Sequence, residues 1–186
     1  MTIAQTYNTL IKHIRQALPV ERVTRIRNLT WLMCGILWSR SVHLSKIANK
    51  MLGPAKRHSR TRRLSRFLHN HHVHVRPWYQ PIAQGLLQEA ARSVGEVRLI
   101  IDATKVTNSH QLLMVAVAYR RRALPVVWTW MRGKKGHSSG RKQQALLAYV
   151  HRLMPAHVPV VVTGDSEFTP LQALLEQWGW YYVLRQ

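Results

Sequence analysis

The hydrophobic period changes once along this chain, near residue 96. Before that point apolar side chains recur at intervals of three and four. Ile3, Tyr7, Leu10, Ile11, Ile14 and Leu18 mark one face of an amphipathic helix predicted over 2–18, as a 3.6-residue turn requires. Pro19 ends it, because proline has no N–H for the next helical bond. A second helix is predicted over 22–38; it is apolar all round from Trp31 to Trp38, the pattern of a helix at the centre of a cluster. A short helix over 43–52 stops at Gly53-Pro54, and a very basic helix follows over 59–70. Short helix, turn and basic helix make a helix-turn-helix-like outline. Pro77 and Pro81 then bracket Trp78, and a helix resumes over 80–93.

Beyond residue 96 the runs are short and β-branched. Strands are predicted at Val97–Ile101, Gln111–Tyr119 and Pro125–Met131, the last two joined by Arg120-Arg121-Arg122, in the manner of apolar runs bounded by turn signals. A loop over 133–140 and a helix over 141–154 follow; Pro159–Thr163 is an apolar strand of the buried kind, residues 170–177 a helix and Trp180–Leu184 a last strand. Two regions result: 1–95, all-α, and 96–186, a mixed sheet with flanking helices.

Charge then narrows the function. The 186 residues contain 28 Lys and Arg against 7 Asp and Glu, a net charge of +21. Residues 1–95 hold 16 of the cations and two of the acids, residues 96–186 the other 12 and five. This excludes an acidic buffer protein, an ordinary neutral metabolic enzyme and an acidic disordered tail. It calls for a polyanionic partner, nucleic acid or an anionic membrane surface. A hydrophobic content of 46% with seven Trp argues for a folded chain, since basic disordered segments lack such residues. The single cysteine, Cys34, forms neither an internal disulfide nor a cysteine zinc site, and it reads as a small buried hydrophobe. No run of about 18 apolar residues and no secretory pattern occurs. The expectation is a soluble cytoplasmic protein, nucleoid-associated if its partner is DNA, and no membrane partner; a long basic amphipathic face for membrane binding is missing.

The chain has only two aspartates, Asp102 after Leu99-Ile100-Ile101 and Asp165 after Val160-Val161-Val162-Thr163-Gly164. Each closes an apolar strand, where ligands gather in α/β sheets. Two readings stand: turn-capping residues, or a carboxylate pair that holds a hard cation such as Mg²⁺ together with substrate phosphates. The second constellation is the basic helix, in which Lys56, Arg57, Arg60, Arg62, Arg63 and Arg66 are unbalanced by any acid, the footprint of contact with DNA. His69, His71, His72 and His74 cluster without a Cys or acid, a poor zinc set. Gly133–Gly140 lacks the full phosphate-loop pattern and reads as a basic loop. Trp128 and Trp130 share one strand face and read as core.

Four blocks of the second region resemble DDE insertion-sequence transposases. Leu99-Ile100-Ile101-Asp102-Ala103-Thr104 resembles their first catalytic strand, and Tyr119-Arg120-Arg121-Arg122-Ala123-Leu124-Pro125 the turn before their third strand. Val161-Val162-Thr163-Gly164-Asp165-Ser166-Glu167-Phe168 resembles their second-aspartate block, and Gly179–Arg185 the strand after it. The resemblance covers 97–186 and, more loosely, 40–75. It implies a ribonuclease H-like catalytic core, here incomplete, behind a helical DNA-binding region. It also implies that Asp102 and Asp165 are catalytic and bind Mg²⁺ or Mn²⁺. The block carries Ser166 where the family commonly has Arg, and the family's third acid, a downstream Glu, has no counterpart before Gln186. Glu167 matches the family's local Glu, and Glu176 reads as a solvated position.

The expectation is therefore a transposase, truncated before its third acid. It binds the double-stranded DNA of transposon ends, homo-oligomers being a further expectation, and cleaves and transfers strands when complete. The alternative is a non-catalytic DNA-binding protein or transposition inhibitor.

Overall fold

The computed structural model describes residues 2–132 and 139–185. The predicted basic loop over 133–140 lies almost wholly outside them. The described residues form a mixed α/β structure with the helices first: seven α-helices, one short 3-10 helix and five strands. The chain divides into two compact units, 1–78 and 79–186.

The first unit is helical. α1 (Ile3–Ala17) starts with a capping box, in which Thr2 accepts from the Gln5 N–H and the Gln5 side chain accepts from the Thr2 N–H, satisfying two otherwise orphaned donors. α2 (Val23–Ser39) departs from the expected all-round burial. Ile26, Thr30, Cys34 and Gly35 are buried, whereas Met33, Ile36, Leu37 and Trp38 remain exposed. Its neighbours α1, α3 (Leu44–Lys50) and α4 (Arg57–Leu68) cover one side of it and leave the other. Glu21, just before α2, accepts from the Arg22 N–H, from Arg25 Nη1 at 2.8 Å and from Trp78 Nε1 at 2.9 Å. Burial pushes its carboxyl upward, but these hydrogen bonds outweigh it and hold the group below its ordinary value. Phe67 and Trp78 stack with ring centroids 6.1 Å apart.

The crossing of α2 on α3 depends on Gly35. A Cβ there would lie 2.3 Å from Ile47 Cγ2 and 3.1 Å from the Ile47 carbonyl oxygen, and Ile47 is fully buried. In an open helix Gly→Ala would gain about 1 kcal/mol. Here the two helices must separate instead, and overpacking of this kind costs about 1–3 kcal/mol. Gly35→Ala is expected to lower the thermal midpoint of the helical unit in calorimetry; an unchanged or raised midpoint would contradict the close crossing.

The second unit is a five-stranded sheet in the order β3-β2-β1-β4-β5. β1 (Val97–Lys105), β2 (His110–Tyr119) and β3 (Arg122–Arg132) run antiparallel in turn, and β4 (Val160–Gly164) and β5 (Tyr181–Leu184) are parallel to β1. Leu99, Ile101, Leu113, Val115, Val117 and Val162 are buried on one face, as the two-residue alternation of a pleated strand allows. They join one core with Ala83, Leu87 and Ala90 of α5 (Val75–Val94) and Leu146, Leu147 and Val150 of α6 (Gly140–Leu153). A 3-10 helix (Ser166–Leu171) leads into α7 (Gln172–Gln177).

Three expectations change. The division between units falls at Trp78/Tyr79, not at 95/96. α5 is one helix, running through Pro81, and its later turns bury Ala83, Leu87 and Ala90 in the sheet core. β1 and β3 are longer than their apolar runs. Hydrogen bonding to β2 carries β1 through Asp102 to Lys105, and pleated pairing does not require an apolar residue at each solvent-facing position. Pro125 sits inside β3 beside a register shift, which leaves Val126 and Val127 both buried; bulges are where strands tolerate proline.

Candidate functional site

The basic helix α4 separates into two sets of cations. Its core face holds Leu64 and Phe67. Arg60 is turned back toward α3: Nη1 donates to the Met51 carbonyl and, at 3.4 Å, to that of Ala48, while Nη2 donates to the Gly53 carbonyl. The Ala48 carbonyl also accepts from the Met51 N–H at 3.3 Å, and Met51 and Gly53 lie just past the last residue of α3, so Arg60 is a structural clamp on the segment that leaves this helix. Arg63 Nε donates to Asn28 Oδ1 at 2.6 Å. In contrast, Arg62 and Arg66 line an open groove of about 480 Å³ together with Ser59 and Ser65. Both arginines are exposed and lie one helical turn apart.

Lys56 and Arg57 occupy the N-cap and first helical position, both exposed, with no acid in the first turn and no side-chain cap. The N-terminus of a helix carries partial positive charge, so cations there repel the dipole and gain nothing for folding. Both the dipole and the side chains favour an anion at that end. Of the six cations read from the sequence, four therefore face outward on α4 and two serve the packing of the helical unit.

In the sheet unit, Asp102 and Asp165 come to neighbouring positions. β1 and β4 run parallel with Ile100 opposite Thr163 as the last paired residues. Asp102 lies two residues beyond the first and Asp165 two beyond the second, on strands that pack about 4.8 Å apart. Asp165 keeps an extended backbone, φ −84° and ψ 173°, so the alternation of β4 persists and sets it on the face of Thr163 and Asp102. Both carboxylates are exposed. Thr104 Oγ1 donates to Asp102 Oδ2 at 2.8 Å, and Asp165 Oδ1 accepts from the Ser166 N–H at 2.9 Å. Capping and a carboxylate pair are thus compatible, because each side chain has its second oxygen outside these bonds.

Asp102 lies within β1, paired with Met114, rather than at its end as expected. On its β4 side the pairing has already stopped, which leaves the edge toward Asp165 open. Gly164, just before Asp165, packs closely on β1 and the 3-10 helix: a Cβ there would lie 2.8 Å from Ile101 Cγ2 and 3.0 Å from Phe168 Cδ2.

Two residues stand apart from the sequence reading. Gln143, buried in the first turn of α6, donates through Nε2 to the Glu167 carbonyl at 3.4 Å and ties down the segment after Asp165. A glutamine among apolar helix positions is the signal that points to it. Trp130, expected in the core, is 55% exposed. It stands opposite Leu112, in the row of Thr104, on the sheet face of Asp102. Its neighbour Trp128 packs edge-on against the Tyr79 ring, with centroids 5.1 Å apart.

Among the described residues no group of three or more His, Cys, Asp and Glu side chains converges as a metal site. His71 and His72 have ring centroids 3.9 Å apart, and His69 Nδ1 is engaged by the Ser65 carbonyl at 2.8 Å. No helix among the described residues is long and apolar enough to cross a membrane. No protein-family model matches the chain, and no curated protein matches it.

Proposed function

We propose that this protein binds double-stranded DNA through the outward face of α4, and that its sheet unit is a ribonuclease H-like core of the DDE transposase type. The observation that carries the reading is the groove of Arg62, Arg66, Ser59 and Ser65 on a helix without acids, in a chain of net charge +21. Two guanidiniums and two hydroxyls are donors suited to phosphate oxygens. The transposase reading rests on the four sequence blocks, and the mixed sheet with Asp102 and Asp165 on adjacent strands is compatible with it.

The donor set fits one hard cation, since Mg²⁺ is commonly held by one or two carboxylates with substrate phosphates completing the shell. Asp102 and Asp165 would hold it, and it would supply charge stabilisation to a phosphodiester. Thr104 and the Ser166 N–H orient the two carboxylates through the bonds described above, and Gln143 steadies the turn that carries Asp165. Two-metal phosphoryl chemistry needs more ligands than two carboxylates supply. The 186-residue chain is therefore read as a DNA-binding protein with one weak metal site.

The test uses Mn²⁺ as a spectroscopic probe and a nicking and strand-transfer assay on element-end duplex. The expected results are duplex binding, millimolar-range Mn²⁺ binding lost in both Asp102→Asn and Asp165→Asn, and no strand cleavage. Failure to bind duplex at low salt would refute the DNA reading. Mn²⁺ binding that survives both substitutions would remove the metal site. Cleavage abolished by Asp102→Asn would confirm the site and overturn the single-ion argument.

A further inference from the structure

The turn between β2 and β3 consists of two residues, Arg120 and Arg121, closed by the pairing of Tyr119 with Arg122. Both have positive φ, 47° at Arg120 and 63° at Arg121. Two-residue hairpins favour this mirror-image geometry, and for that reason they favour Asn-Gly or Gly-Gly. An L side chain with a Cβ is disfavoured at positive φ, and arginine lacks the short polar group with which Asn and Asp compensate. The chain thus places arginines at the two positions of the sheet least suited to them.

Local packing accounts for only one. The Arg120 guanidinium lies over the Tyr119 ring, 5.1 Å from its centroid, and the Tyr119 hydroxyl donates to Glu89 Oε1 at 3.4 Å. Arg121 and Arg122 are exposed and take part in none of the three ion pairs among the described residues, Arg25–Glu21, Arg92–Glu89 and Arg98–Glu96. Glu89 and Glu96, the acids near this end of the sheet, are already paired with Arg92 and Arg98, so the tip stays strongly cationic. It is also separate from the carboxylates. Tyr119 is five residues along β2 from Met114, the partner of Asp102, about 17 Å at the rise of a strand.

We infer that the Arg120–Arg122 hairpin tip is a second contact for the DNA phosphate backbone, carried by the sheet unit at the end opposite Asp102 and Asp165. This rests on the DNA reading above and adds a distinct surface to it. Three consecutive cations on a tight turn match successive phosphates, and the unfavourable turn conformation is retained for charge, since a better turn residue would remove it. Strained positions of this kind concentrate at functional surfaces.

The experiment combines stability with binding. Arg121→Gly removes a cation and the conformational penalty together, and Arg122→Gln removes the next cation with little change in strand geometry. In the full chain, Arg121→Gly is expected to raise the thermal midpoint by roughly 3–8 °C. The double variant, Arg121→Gly with Arg122→Gln, should weaken binding to a duplex of about 30 base pairs roughly tenfold near physiological salt. Its slope of log K against log salt should be shallower by about 1.8, or 0.9 for each phosphate no longer neutralised. The double variant with Lys at both positions should bind as the parent does. Three results would overturn the proposal: a Gly/Gln variant that binds with unchanged affinity and slope, an Arg121→Gly variant no more stable than the parent, or a Lys/Lys variant as weak as Gly/Gln. If the parent itself binds no duplex at low salt, the DNA reading of the whole protein falls; if it binds and only the hairpin substitutions are silent, the hairpin assignment alone falls.

Discussion

Replacing Arg62 and Arg66 together with Ala is expected to weaken duplex binding by roughly 10- to 100-fold near physiological salt, with little change in stability. Each phosphate neutralised by an arginine releases condensed counterions, so removing two such arginines should make the salt slope shallower by about 1.8. Stability should hold because both side chains face the open groove, and exposed substitutions away from packing sites stay within about 0.5 kcal/mol. Arg60→Ala supplies the contrast. It removes the donors to the Met51, Gly53 and Ala48 carbonyls, charge-assisted bonds of about 1.5–3 kcal/mol each before overlap. That variant should lose about 2–4 kcal/mol in chemical denaturation, and its DNA affinity should fall only as the helical unit unfolds. Arg63→Ala should lie between, since its bond to Asn28 is exposed. Equal salt slopes in the parent and the Arg62/Arg66 double variant would show that this face does not meet DNA. A larger stability loss in that double variant than in Arg60→Ala would reverse the division of roles.

That division marks where the sequence stops being legible. Six cations within a few residues of one another announce a basic helix, and periodicity places Leu64 and Phe67 on its inner face. The clamp of Arg60 on α3 depends on where the short helix ends. α3 stops at Lys50, two residues before the predicted end, and tertiary approach alone brings the carbonyls at and just past its end to a neighbouring guanidinium. The expected burial of α2 fails for a related reason. An all-round apolar run signals central burial only if enough neighbours surround it, and a bundle this small leaves Met33, Ile36, Leu37 and Trp38 uncovered. In the sheet unit the β-branched runs locate all five strands, but apolar content understates β1 and β3, whose ends are held by pairing to β2. Strand order is a relation between distant segments, which a local pattern does not encode; adjacent strand ends for Asp102 and Asp165 are expected from the sequence only through the carboxylate-pair reading, since one ion must reach both. The strain at Arg120 and Arg121 is hidden in the same way, because arginine gives no sign of positive φ.

Asp102 and Asp165 sit two residues past the last paired positions of β1 and β4, and Gly164→Ala is the substitution expected to disturb that placement most. Its new Cβ would lie 2.8 Å from Ile101 Cγ2, 3.0 Å from Phe168 Cδ2 and 3.3 Å from Leu184 Cδ2. Ile101 and Phe168 are each 1% exposed, so neither has empty space to move into, and packed interiors transmit such displacement. Relief must come from shifting the 3-10 helix, β1 or the edge strand β5 away from β4. Overpacking of this size costs about 1–3 kcal/mol, and each kcal/mol lowers the midpoint of a domain near 100 residues by roughly 4–8 °C. Asp165 follows Gly164 directly and caps the 3-10 helix through the Ser166 N–H, so a displaced helix start carries that carboxylate away from Asp102. Mn²⁺ affinity should therefore fall several-fold at temperatures where the variant is still folded. Gly85→Ala is the control: nothing lies within 4 Å of its added Cβ, it sits inside α5, and it should gain up to about 1 kcal/mol. Arg62 and Arg66 are untouched in both variants, so duplex binding should persist. Gly164→Ala with parental Mn²⁺ affinity and stability would show that the two strand ends tolerate separation and that their placement does not depend on this glycine.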